Sequence, residues 1–224
     1  MHHDSPPVQE PGRYPVRVDI EPPAGERDRL TAAFRLILAF PHLLIVGAPL
    51  GLALSWTSSD DGPTYGGGAG GGVLGAVAMV ATVIAWFWIL VTGRHPQGLW
   101  DLSAFYMRWR VRAVAYTALL RDEYPPFGEG EYPVTFEVEP PEGPRDRVRV
   151  FFRIILAIPH IVAVWALGLA WAISTMIAWF AILFTGRYPP SLYEFGVGVL
   201  RWSTRVEVYL LLMTDRYPPF SLEA

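Results

Sequence analysis

The chain has 224 residues, of which 52% are apolar and only 17% are charged, and its mean hydropathy is positive, so composition indicates contact with lipid. The formal net charge of -3 lacks the basic excess typical of nucleic-acid binders, so no nucleic-acid partner is expected. The absence of cysteine excludes disulfides, thiolate metal sites and thiol nucleophiles.

An internal duplication organises the chain. Residues 14–42 and 132–160 align without a gap, with 17 of 29 positions identical. The similarity resumes at residues 85 and 178, so the first copy carries 25 extra residues, which include a Gly-rich tract at 57–72. We therefore divide the chain into a disordered N-terminal tail (1–13), repeat 1 (14–127), a linker (128–131), repeat 2 (132–220) and a C-terminal tail (221–224).

Each repeat opens with a short segment of strand character. The segments YPVRVDI and YPVTFEV alternate apolar and polar residues and end at Glu-Pro-Pro. This pattern predicts one β-strand per repeat. Because a two-stranded sheet is marginal alone, we expect the strands to pair with each other, or with the extended DEYPPF and DRYPPF segments, against the helices.

The apolar stretch that follows each strand predicts the membrane spans. In repeat 2 the run 148–185 would be about 57 Å long as one helix, against a hydrocarbon core of about 30 Å. Either an interfacial helix ending near Pro159 precedes one tilted span, or a helical hairpin turns near Gly168. A polar tract is inserted at the matching position of repeat 1, and a lipid-exposed helix cannot accept such an insertion, so we favour the hairpin. The predicted spans are 30–56 and 73–92, with the external loop 57–72 between them, and then 148–167 and 169–186.

Charge and proline add orientation and shape. Pro41 and Pro159 fall inside the first helix of each pair and should kink it. Arginines flank both hairpins, whereas the loop 57–72 contains none, so the positive-inside rule places the loops outside and both termini in the cytoplasm. The two copies would then share one orientation, related by a pseudo-twofold axis along the membrane normal.

Two arginine-bearing segments, 99–121 and 192–214, follow the hairpins. Their basic and tyrosine side chains recur at four-residue intervals, which predicts amphipathic helices in the headgroup plane or packed across the cytoplasmic ends of the hairpins. The candidate lipid-contact positions are Arg108, Arg112, Tyr116, Arg201, Arg205 and Tyr209.

Two further pairs of polar residues lie within the apolar stretches. Arg35 and His42 in repeat 1, and Arg153 and His160 in repeat 2, are seven residues apart and share a helix face. They either form functional polar clusters near the bilayer, or the arginines extend to the interface and the histidines bond carbonyls freed by the prolines. No catalytic, metal or cofactor motif is present, so no cofactor and no enzyme activity are expected.

The segments RVFFRIILAIPH, AWFAILFTGRYPPSLYEF, LRWSTRV and TDRYPPF resemble a bacterial, largely actinobacterial, membrane-protein family defined as a domain of unknown function. The resemblance covers about residues 14–220, and TGRYP and DRYPPF are its specific phrases. Repeat 1 departs from it with TGRHP at 92–96 and with the Gly-rich insertion. The family implies a multi-pass protein of the bacterial cytoplasmic membrane and brings no activity with it.

The sequence thus predicts a mainly α, integral membrane fold of two tandem repeats, each with a strand, a transmembrane hairpin with a proline kink and an interfacial helix. The expected function is a non-enzymatic scaffold or interaction subunit at the cytoplasmic face. It would bind lipid headgroups, a membrane-protein partner or a second copy of the chain. The alternative is a small transporter or channel whose polar path is lined by Arg35, His42, Arg153 and His160.

Overall fold

The computed structural model describes residues 14–23, 25–47, 72–141 and 143–223. These residues are mainly helical, with seven helices and two strands. In chain order the elements are β1 (Val16–Ile20), α1 (Arg29–Ala33), α2 (Arg35–Val46), α3 (Val73–Thr92), α4 (Gln97–Thr117), β2 (Val134–Val138), α5 (Arg147–Phe151), α6 (Arg153–Thr185) and α7 (Pro190–Leu210). The predicted disordered tail and almost all of the predicted loop 57–72 lie outside the described residues.

The two strands pair with each other, which confirms the first of the two expected arrangements. They are antiparallel, with Val16 opposite Val138 and Val18 opposite Phe136. Alternate side chains of a strand point to opposite faces, so Val16, Val18, Val134 and Phe136 are buried against the helices. The opposite face of the sheet carries the polar side chains.

The second hairpin, predicted at 148–167 and 169–186, is wrong. Helix α6 runs without a break from Arg153 to Thr185. Gly168, the expected turn, belongs to a single buried stripe that includes Ala157, Trp171 and Ala178 at helical spacing. Packing of this stripe against α7 outweighs the cost of one glycine in a helix interior, which is about 1 kcal/mol.

We call α6 the long element of repeat 2; in repeat 1 the matching long element is divided into α2 and α3. Helix α2 packs on the C-terminal half of α4 and α3 on its N-terminal half, so the two lie end to end. They meet at Gly47 and Gly72, where a Cβ atom on Gly72 would overlap the backbone of Gly47. The insertion therefore interrupts a long helix and does not cap a hairpin. Of the predicted spans, 73–92 coincides with α3, whereas 30–56 is divided between α1, α2 and residues outside the described part.

The long elements begin after a break that the sequence did not indicate. Phe34 separates α1 from α2, and Phe152 separates α5 from α6. Pro41 and Pro159 instead lie inside uninterrupted helices. Asp28 starts α1 by accepting hydrogen bonds from the backbone N–H groups of Leu30 and Thr31. The Thr31 hydroxyl also donates to this carboxylate, and that bond, followed by the backbone bonds, lowers the pKa of the Asp28 carboxyl group.

The elements form three layers. The sheet packs on α4 and α7, which we call the inner helices, and α2, α3 and α6, the outer helices, also pack on them. Within the described residues the outer helices make no substantial contact with the sheet. The inner helices are antiparallel, because Trp100 at the start of α4 donates to the carbonyl of Met213, just beyond the end of α7.

The inner helices are the most buried of the described helices. The arginine side chains that suggested an exposed cationic stripe on residues 99–121 and 192–214 find partners within the fold. The placement of these helices in the headgroup plane stays a prediction. The outer helices carry the exposed apolar surface. Two of them, α3 and α6, are long and apolar enough to cross a membrane.

Each repeat also completes the other. Helix α1 packs on α6, and α5 packs on α3. The indole N–H of Trp179 in α6 donates to the carbonyl of Ala32 in α1 at 2.9 Å, and the indole N–H of Trp86 in α3 donates to that of Val150 in α5 at 3.1 Å. The two halves are thus joined by reciprocal contacts.

Candidate functional site

An arginine–carboxylate cluster holds the segment that follows α4. The Asp122 carboxylate accepts from Arg27 at 2.9 Å and from Arg35 at 2.7 Å. Arg35 also donates to the carbonyl of Arg121 at 2.9 Å. Both guanidinium groups that reach Asp122 are almost fully buried. This cluster, the Asp122 cluster, therefore joins the start of the first long element to the end of α4.

A matching cluster, the Asp215 cluster, follows α7. The Asp215 carboxylate lies 2.6 Å from both Arg145 and Arg153. Arg153 also donates to the carbonyls of Tyr209 and Thr214, each at 2.9 Å. Burial lowers the pKa of the Arg145 guanidinium, and the nearby Asp215 carboxylate opposes that shift.

Two tyrosines on the inner helices pack against the guanidinium groups of these clusters. The Arg35 guanidinium lies over the Tyr116 ring at 4.2 Å from its centroid, and Arg153 lies over Tyr209 at 4.4 Å. The structure therefore brings each candidate arginine of the apolar stretches together with a candidate tyrosine of the inner helices. Both pairs are buried structural contacts.

The two histidines are sealed between aromatic rings. His42 is fully buried, stacks on Phe127 at 4.4 Å and accepts at Nδ1 a 2.9 Å hydrogen bond from the indole N–H of Trp109. Because Nδ1 accepts, this ring is neutral with its proton on Nε2. His42 thereby joins α2 to α4 and to the chain beyond α4.

His160 repeats this arrangement in the second half. It stacks on Phe220 at 3.9 Å and accepts from the indole of Trp202 at 3.3 Å. His42 and His160 thus belong to two separate clusters, each closed by its own aromatic rings.

The remaining predicted arginines also have partners. Arg108 pairs with Glu129 at 2.9 Å, and Arg112 donates to the carbonyl of Gly128. Arg201 donates to the carbonyl of Val18 in the sheet. Arg205 donates to carbonyls of the C-terminal segment, at Ser221 and Glu223. These side chains hold the chain that covers the inner helices.

The sequence patterns missed a buried ion pair between the inner helices. Arg110 of α4 donates to both carboxylate oxygens of Glu207 of α7, at 2.7 and 2.8 Å, and to the carbonyl of Val46 at 3.1 Å. The matching positions of the other repeat hold Ser203 and Val114. A signal was available, because an arginine and a glutamate stand alone where the other repeat has no charge.

The surroundings of this ion pair offer little space. The cavity beside it measures about 10 Å³, which is room for a single water molecule, and Trp171 and Thr204 help to line it. Burial raises the pKa of the nearby Tyr106 hydroxyl to about 12. Among the described residues no three His, Asp or Glu side chains gather as metal ligands.

The arginines that flank the predicted hairpins include a set at the ends of the outer helices, which the sequence analysis used only for orientation. Arg94 and Arg147 lie at the end of α3, and Arg187 and Arg29 lie at the end of α6. All four are exposed, and their guanidinium groups make no hydrogen bond or ion pair with the described residues. We call these four residues the arginine rim.

The geometry of the rim repeats at both ends. Gly93 and Gly186 end α3 and α6 at positive φ, and a Cβ on either would lie 3.3 Å from the guanidinium of Arg147 or Arg29, respectively. A cation at a helix C-terminus is favoured by the helix dipole. The rim therefore presents four cations beside the exposed apolar surface.

The comparisons with known proteins agree with the duplication. The model of a family described as a domain of unknown function, DUF4389, matches residues 71–128 and 147–221, consistent with two tandem copies. No curated protein and no solved structure shows significant similarity to the chain.

Proposed function

Since the chain belongs to the DUF4389 family of domains of unknown function, we propose from its structure that it is a non-catalytic membrane protein that binds anionic lipid headgroups through the arginine rim. The rim is the observation that carries the proposal. Its four guanidinium groups are exposed and have no partner among the described residues, and they adjoin apolar helices.

The outer helices support residence in lipid. Their exposed side chains are large and apolar along the whole length, from Leu36 in α2 to Val91 in α3 and from Ile154 to Phe184 in α6. Soluble monomers rarely expose a continuous apolar surface of this extent.

The rim supports recognition of phosphate groups. An arginine guanidinium presents N–H donors that match phosphate oxygens, and each cation near an anionic leaflet contributes about 1 kcal/mol. The other arginines nominated from the sequence are engaged within the fold, which leaves the rim as the cationic surface beside the outer helices.

The alternative function, a transporter or channel, is not favoured by this geometry. It requires Arg35, His42, Arg153 and His160 to line one continuous opening. These side chains are buried in contacts that belong to two separate sets, one in each repeat.

Lipid retention tests the proposal. We expect the purified protein, by native mass spectrometry, to retain phosphatidylglycerol in preference to phosphatidylcholine. The variant R94Q/R147Q should bind phosphatidylglycerol roughly 30-fold more weakly, because two cations of about 1 kcal/mol each are lost.

The matched control removes two charges on the sheet side, as R17Q/R108Q, and should retain the lipid. Equal losses in both double variants would contradict the proposal, as would equal retention of the two lipids by the wild-type protein. A bound protein partner in place of lipid would favour the scaffold alternative.

A further inference from the structure

We propose that the outer helices lie in the plane of one membrane leaflet, that the sheet lies in the water facing that leaflet, and that no helix of the described chain crosses the bilayer. This inference rests on the membrane residence proposed above and specifies its geometry. The occupant of the apolar face is the hydrocarbon of a single leaflet, and the headgroups of that leaflet meet the arginine rim.

The layer order supports this placement. The inner helices separate the sheet from the outer helices, so the molecule has one apolar side and one polar side. The polar side carries Arg17 and Glu137, which face each other across the strands, together with Asp19 and the acidic linker at 128–131. An upright orientation would place this charged face against lipid, at several kcal/mol for each charge near the bilayer centre. A flat orientation leaves it in water.

The length of α6 supports it as well. Its 33 residues extend about 50 Å. To remain within a hydrocarbon core of about 30 Å, α6 would have to tilt by about 53° from the membrane normal, and crossing helices tilt by 0–40°. Exposed apolar side chains continue from Ile154 to Phe184, so no shorter segment of α6 is set apart as a crossing segment.

The direction of the long elements supplies a third argument. The backbone N–H of Arg27, which precedes α1, donates to the carbonyl of Gly186 at the end of α6. The N–H of Arg145, which precedes α5, donates to that of Gly93 at the end of α3. Each long element therefore starts where the other one ends, and the two are antiparallel.

This antiparallel arrangement decides where the rim lies. In an upright molecule, the two halves of the arginine rim would face opposite sides of the membrane. Such a division conflicts with the positive-inside rule, which collects basic residues on one side. In the flat orientation all four arginines reach the headgroups of the same leaflet, and the pseudo-twofold axis lies along the membrane normal.

Depth measurements test the orientation, and the absence of native cysteine permits single labels. Ile155, Val162, Leu169 and Met176 are all exposed on α6, and their seven-residue spacing places them on one face. Spin labels at these four positions in reconstituted vesicles should all report contact with hydrocarbon. Their depths should agree to within about a helix radius of 5–6 Å.

A crossing helix gives a different depth profile. Even at a tilt of 53°, labels at positions 155 and 176 would differ in depth by on the order of 20 Å. A depth gradient of that size would overturn the flat orientation while leaving membrane residence intact. Labels that all report water would overturn the membrane residence itself.

The side of exposure gives an independent readout. We expect an impermeant maleimide to reach T135C on the sheet, Q97C beyond α3 and S191C beyond α6 from the same side of oriented vesicles. Labelling of Q97C and S191C from opposite sides would overturn the inference. Circular dichroism of each variant confirms that the labelled chain is folded.

Discussion

The buried ion pair between Arg110 and Glu207 allows a quantitative test of how the inner helices are held together. The Arg110 side chain is 2% exposed and that of Glu207 is 21% exposed. Removing one member of a buried pair costs about 3–5 kcal/mol, because the remaining charge loses its partner. The difference in exposure decides which removal costs more.

In R110M the remaining Glu207 carboxylate can reach water, so we expect a loss of about 3 kcal/mol in the free energy of unfolding. In E207M the remaining guanidinium is sealed in the interior, so we expect a loss near 5 kcal/mol. The double variant R110M/E207M leaves no unpaired charge, and it should be more stable than E207M alone.

Equilibrium unfolding in detergent, followed by the fluorescence of the nine tryptophans, measures all three variants. The exposed pair Arg108–Glu129 provides the control, since R108M/E129M should change stability by less than about 1 kcal/mol. If the double variant R110M/E207M lost the sum of the two single losses, the two charges would not be coupled and the reasoning would be refuted.

Three further predictions concern contacts of α1 and of the segment that follows α4. Because Asp122 balances two buried arginines, D122N should lower the free energy of unfolding by about 3 kcal/mol or more. The control E123Q, at a partly exposed position, should lower it by less than about 1 kcal/mol. Chemical denaturation of the two variants measures both losses. Leu119 is buried and has a φ of 63°, which is the left-handed region of the backbone. L119G should therefore be about 1 kcal/mol more stable than L119A, the reverse of the usual order for these two residues. Equal stability of the two variants would argue against a left-handed backbone at this position. Replacing Trp179 by Phe removes the hydrogen bond to the Ala32 carbonyl and should cost about 1–3 kcal/mol, with faster amide exchange in α1; unchanged exchange would count against that contact.

Local patterns in the sequence predicted the elements whose packing agrees with their own periodicity. The two strands alternate and do bury one face, and α3 begins and ends where its apolar run does. The resemblance that rests on TGRYP and DRYPPF was confirmed by the family match. These features depend on neighbouring residues, which a sequence displays directly.

The continuous course of α6 could not be predicted, because the hairpin expected in its place was inferred from the insertion in repeat 1. That insertion follows α2, which ends at Val46 and whose last carbonyl accepts a hydrogen bond from Arg110 on a different helix. A side chain distant in sequence thus satisfies the end of the helix, which removes the backbone penalty on which the hairpin argument relied.

The contacts of the arginines on α4 and α7 could not be predicted, for a related reason. Arginines at four-residue spacing are usually solvated, but Arg112 and Arg205 meet backbone carbonyls of the segments that fold back over α4 and α7. The partner residues lie in segments that form neither helix nor strand, so no periodicity in the sequence marks them as partners. The sequence therefore identified the candidate residues but did not indicate the contacts that they make in the fold.

The reciprocal contacts of α1 and α5 have a consequence for how the chain is made. When repeat 1 leaves the ribosome, α3 has no α5 to cover it, and α1 has no α6 to rest on. The first half therefore stays partly uncovered until α6, which ends at Thr185, 58 residues beyond the end of repeat 1 at residue 127, has been synthesised. In the membrane placement proposed above, lipid would cover the exposed apolar side chains of the unfinished half until α5 and α6 are made.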